Sequence, residues 1–175
     1  MWETFAKILG RHTASILAEL TDQEPKNIQI SRLTSRRERG FTCELAVSIN
    51  FDGLLAEAGK EVGGYMVCGA VRSSDIQPLL KAMAGHLGLD PAIMEAEGGP
   101  QNLLNEFLNI VIGQTGAGWA EQGFYMNFSP PHILRTLPPH APGDRTFHLH
   151  LSSPDGMRVD LLVVFNYLSR PVISE

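Results

Sequence analysis

Cysteine is nearly missing from this chain of 175 residues: only Cys43 and Cys68 occur, each inside a stretch that reads as a buried strand. A secreted domain usually carries a larger disulfide framework, so the pair reads as free thiols filling core space in a reducing compartment. Basic runs are scarce as well. The net charge is −5, with 14 Lys and Arg against 19 Asp and Glu. That balance argues against nucleic-acid binding, which needs a basic stripe to release counterions from the phosphate backbone. RLTSRRER at 32–39 is the one basic cluster, and with Glu38 inside it and Gly40 after it, it reads as a solvated turn between two strands. No apolar run approaches the roughly 18 residues of a membrane span. The opening MWETFAKILGRH lacks a basic leader followed by a small-residue cleavage site. A cytoplasmic chain without membrane insertion is the expectation.

What is present suits one core. A chain of this length supports a single well-buried domain over 1–175, whereas two domains would each be close to marginal size. Phe5, Ile8, Leu9, Ile16, Leu17 and Leu20 recur at helical spacing, which predicts an amphipathic helix over 2–20. NIQISRL and FTCELAVSI alternate with period two and predict half-buried strands, paired to each other across the basic turn. Asp52-Gly53 reads as a hairpin turn, and GGYMVCGAV at 63–71 as the next strand. A second helix follows at SSDIQPLLKAMAGHLG, with Ser74 and Gln77 at capping-box spacing. FYMNFS at 124–129 reads as a strand closed by Pro130-Pro131, and TLPPHAPGDR as a loop. TFHLHLS and MRVDLLVVFNYL read as a pair of strands joined at SPDG. About six strands and three helices, with the strands mostly joined as hairpins, predict an α+β fold: a mainly antiparallel sheet packed by helices.

The third helix, about 101–122, carries the chemistry. At roughly 100° per residue, Asn102, Glu106, Asn109 and Gly113 fall within an arc of about 60°. Leu103, Leu104, Phe107, Leu108, Val111 and Trp119 fall on the other side, a stripe wide enough to pack on a sheet. The polar face is therefore expected at the surface. It continues through Gly113, Gly116, Ala117 and Ala120, all small, so a partner's backbone could approach closely. Three glycines in six residues are costly in a helix and imply a compensating packing or recognition need. GQTGAG lacks both the spacing and the Lys-Ser/Thr of a nucleotide-binding loop.

The Glu106-x-x-Asn109 helix, the run Ser129-Pro130-Pro131 and the length between them resemble the CheC/CheX/FliY family of chemotaxis phosphatases. In that family the helix reads Asp or Ser, three residues, Glu, two residues, Asn, with a Pro about twenty residues later. Here Asn102 stands where the family has Asp or Ser. One motif, not two, makes the chain most similar to CheX. The resemblance implies a CheC/CheX-like fold and hydrolysis of the phosphoaspartate of a phosphorylated CheY-like receiver domain. In that role Asn109 orients the attacking water and Glu106 contacts a receiver lysine, both catalytic. Asn102, Gly113, Gly116 and Ala117 touch the partner. No cofactor is expected on this chain, the Mg²⁺ being the receiver's. The family also leaves room for a non-catalytic receiver-binding adaptor or a flagellar-switch-related module.

Two further features point elsewhere. His148 and His150 share one face of a strand and would make metal ligands if a third group such as His140 folded over them, but no HExxH or Cys-pair spacing accompanies them. No Gly-x-Ser-x-Gly elbow supports serine nucleophile chemistry. Edge strands in a small sheet make a homodimer possible.

Overall fold

A computed structural model describes residues 1–33, 43–134 and 144–167. Of the basic cluster at 32–39, Arg32 and Leu33 belong to the first strand instead of a turn, while 34–39 and the loop residues 136–143, His140 among them, lie outside the described residues. Three α-helices, α1 (Trp2–Leu20), α2 (Ser73–His86) and α3 (Gly99–Ala120), accompany seven strands: β1 (Gln29–Leu33), β2 (Leu45–Leu55), β3 (Lys60–Ala70), β4 (Phe124–Phe128), β5 (His132–Ile133), β6 (Arg145–Ser152) and β7 (Arg158–Tyr167). The strands form one sheet of order β1-β6-β7-β3-β2-β4, with β5 also paired to β2 and all pairs antiparallel. The expected α+β architecture is what the chain adopts.

The three helices cover one face of the sheet, because alternate strand residues supply an apolar surface there. On β7, Val159, Leu161, Val163 and Phe165 join the main core, while Leu162 and Val164 join a smaller cluster with Tyr65 and Val67 on the opposite face. Trp2, Phe5, Phe51, Trp119, Phe124 and Phe165 form a continuous aromatic group where α1 and α3 meet the sheet.

Several local expectations change. The segments around β1 and β2 do not pair: β1 pairs with β6, and β2 lies between β3 on one side and β4 and β5 on the other. Asp52-Gly53 is no turn but the interior of β2. A Cβ at Gly53 would come within 2.1 Å of the Tyr125 carbonyl oxygen, so the glycine serves close strand approach. The reversal comes later, at Ala56–Gly59, where Gly59 takes φ 58°. The capping box at Ser74 is replaced by a tertiary cap. α2 begins at Ser73, whose N–H and hydroxyl both donate to the Glu44 carboxylate, at 2.8 and 3.0 Å. Cys43 precedes β2 and is half-buried; Cys68 is fully buried on β3, and both are free thiols.

Candidate functional site

α3 begins after Gly98, which adopts φ 74°, with Pro100 in the first turn where its missing N–H costs no helical bond. Leu103, Leu104, Phe107, Leu108, Val111 and Trp119 are all buried, so the apolar stripe read from the sequence seats the helix. The opposite face then has to look outward. Asn102, Glu106, Asn109, Gly113 and Ala117 are exposed, and Gly116 is half-buried. Asn102 to Glu106 spans about 6 Å along the axis and Glu106 to Asn109 about 4.5 Å, so the three polar groups form a single row. Among the described residues neither the Glu106 nor the Asn109 side chain is engaged in a hydrogen bond or ion pair. Both are available to a partner.

The three glycines divide by role. A Cβ on Gly113 would meet nothing within 4 Å, and one on Gly116 would sit 3.5 Å from the Phe128 ring. Gly118 is different: a Cβ there would lie 2.9 Å from Ile8 Cγ2 and 3.1 Å from His12 Nε2. Gly118 thus serves the packing of α1 on α3, and only the other two border the outward face.

Beside this face, β4 leaves the end of α3 and turns back along it. Ser129 follows and is pinned to β2: its N–H donates to the Asn50 carbonyl at 2.9 Å, and the Asn50 N–H donates to Ser129 Oγ at 3.1 Å. Pro130 and Pro131 bridge to β5. β4 ends before the prolines, as expected, and β5 follows them as a new strand, a two-residue element too short to show a period.

Sequence reasoning passed over one polar residue of α3. Asn105 is half-buried, and among the described residues its buried Oδ1 has no hydrogen-bond partner. Its i,i+4 relation to Asn109 was the available signal.

The histidine pair forms a different kind of site from the metal centre considered above. His148 Nε2 and His150 Nδ1 both lie 3.0 Å from Oδ1 of Asp160, which is 3% exposed. Burial pushes the Asp160 carboxyl up, but the hydrogen bonds from His148 and His150 outweigh it and hold the group below its ordinary 3.8. Among the described residues no group of three His, Cys, Asp or Glu is arranged to hold a metal ion. Burial, and then the Asp160 charge, push the Cys43 thiol up to about 12, and burial raises the Cys68 thiol well above its ordinary value. Neither is poised as a nucleophile.

A groove of about 230 Å³ lies between α1 and the β1–β6 edge, floored by Ala6, Gly10, Ile30, Phe147 and Leu149, and no α3 residue lines it. The row on α3 is instead an open helix surface, a shape for a macromolecule more than for an enclosed small molecule. Among the described residues no helix is long and apolar enough to cross a membrane.

The class defined by these features is a single antiparallel sheet with one helical layer that displays an outward Glu-x-x-Asn row. No protein-family model and no curated relative matches the sequence. Solved structures do match the fold. A CheC-like superfamily protein from Shewanella sp. PV-4 superposes with a TM-score of 0.65 at 14% identity, covering 93% of this chain and 97% of that one. A chain of the CheX-CheY-BeF3-Mg complex from Borrelia burgdorferi gives 0.63 at 17% identity, covering 93% and 97%. A chain of the FliM-SpeE complex from H. pylori gives 0.54 at 12% identity, covering 99% and 87%. The chain has the fold shared by CheC-like and CheX chemotaxis proteins.

Proposed function

We propose that this protein is a cytoplasmic phosphatase that accelerates hydrolysis of the phosphoaspartate on a CheY-like receiver domain. The observation that carries the reading is the exposure of Glu106 and Asn109 on one rigid helix face, within a fold that in CheX has been solved together with CheY. Phosphoryl transfer to water asks little covalent chemistry of a protein; it asks for an in-line water and compensation of developing charge. The Asn109 amide, able to donate and accept at once, orients the water. The Glu106 carboxylate pairs with a receiver lysine and fixes the register of docking. Mg²⁺ comes with the receiver and supplies charge neutralisation at the phosphoryl group. Gly113, Gly116 and Ala117 leave space for the receiver's backbone, and Asn102 adds a neutral hydrogen-bonding contact. A homodimer paired through β1, at the far edge of the sheet from β4, would leave this face open.

A second reading, a receiver-binding adaptor without catalysis, is favoured by Asn102 in place of Asp or Ser and by the likeness to the FliM fold. Decay of a phosphorylated CheY-like receiver with Mg²⁺ decides between them, measured alone, with this protein and with its Asn109→Ala form. Acceleration that falls by about two to three orders of magnitude in the variant supports catalysis, the scale for removing one preorganised polar group. Binding without acceleration supports the adaptor.

A further inference from the structure

Where α3 and β5 meet, the structure places two groups that the outward row does not use. The first is Asn105, one turn before Asn109 and about 40° around the helix from it. Its buried Oδ1, without a partner among the described residues, is an acceptor removed from water with nothing in return. Turning the amide outward against a donor from a partner relieves that cost.

The second is Ile133. It lies opposite Val47 on β2, and Val47 points into the core beneath the helices. Residues opposite each other in an antiparallel pair share a face, so Ile133 projects toward the helical side. It is nevertheless 47% exposed, an apolar side chain at the margin of the helix layer. Its height along α3 follows from register. Phe128 pairs with Phe51 and Ile133 with Val47, a step of about 13 Å along β2. The same distance along α3 is about nine residues, which leads from Gly116, beside Phe128, back to the level of Phe107. Ile133 therefore stands alongside Asn105, Glu106 and Asn109, and α3 and β5 are direct neighbours. The Ser129–Asn50 hydrogen bonds and the two prolines hold this wall in place.

We infer that the partner surface continues from Glu106 and Asn109 across Asn105 onto Ile133, and that Ile133 is the apolar anchor that selects among receiver domains. The inference rests on the receiver-binding reading, and its occupant is the same receiver, because Ile133 is continuous with the row that would meet the phosphoryl site. The matching receiver carries an apolar side chain next to its phosphorylation pocket. A few well-packed contacts carry most of an interface's affinity, and a desolvated apolar side chain can be one of them.

The test is titration of the full chain with a CheY-like receiver held in its active form by Mg²⁺ and beryllofluoride, compared across wild type, Ile133→Ser, Asn105→Ala and Asn109→Ala. Thermal melts and sedimentation are run on each variant. The expected result is a Kd about tenfold or more higher for Ile133→Ser with the melt unchanged, and a smaller rise for Asn105→Ala. Turnover on the phosphorylated receiver is read in parallel. Wild type that binds without turnover sinks the phosphatase reading and leaves this inference standing if Ile133→Ser weakens binding. Equal affinity for Ile133→Ser and wild type overturns it, as does the absence of binding to any receiver encoded by the same genome. So does dissociation of a dimer on Ile133→Ser, which would make the surface a self-contact.

Discussion

The indole Nε1 of Trp119 donates a hydrogen bond to the backbone carbonyl of Phe5 across 2.9 Å. The ring beneath that bond stacks on Phe124 at a centroid distance of 5.7 Å and meets Phe51 and Phe165 as well. One side chain thus ties α3 to α1 and to three strands, and fixes the rotation that leaves Glu106 and Asn109 outward. Trp119→Ala should cost about 3–5 kcal/mol, the range for truncating a large buried aromatic. Urea unfolding followed by far-UV circular dichroism measures it, and a loss under about 1 kcal/mol would contradict the anchoring role.

Gly113 and Gly118 lie five residues apart and should respond oppositely to alanine. Nothing within 4 Å opposes a methyl group at Gly113, so Gly113→Ala gains helix propensity and should stabilise the fold by about 0.5–1 kcal/mol. At Gly118 the added methyl group meets Ile8 and His12 of α1, and stability should fall despite the same propensity gain. Paired thermal melts give the comparison. A rise in both would mean that α1 moves aside without cost.

The parts of this molecule legible in the sequence are those encoded by period. The apolar stripe of α3 follows from 3.6-residue spacing alone, and its polar row follows by exclusion. Partner choice among strands does not, because alternation says which face a residue occupies and not which strand lies beside it. Ile30 alternates as well against β2 as against its actual neighbour β6. Asp52-Gly53 has the local chemistry of a turn, and only the arrival of β4 beside β2 shows that the glycine is needed for space. Asn105 and Ile133 escape the sequence reading for related reasons: the spacing to Asn109 hints at one, but its meaning lies in an unmet hydrogen bond, and the other belongs to a two-residue strand recognisable only by its pairing.

Asp160 gives the fold a predictable acid response. Its carboxylate accepts from both His148 and His150, and those bonds hold its folded value below the ordinary 3.8 in spite of burial. The unfolded chain therefore takes up this proton at a higher pH than the folded chain does. The stabilisation is present above about pH 4 and is lost as pH falls through the folded value. Asp160→Asn retains an acceptor oxygen but not the charge, and isolates this contribution. Urea midpoints of wild type and Asp160→Asn, taken from pH 7 down to pH 3, should show wild type ahead at neutral pH and the gap closing below about pH 4. A gap that stays constant across that range would mean that the Asp160 charge contributes nothing to the stability of the fold.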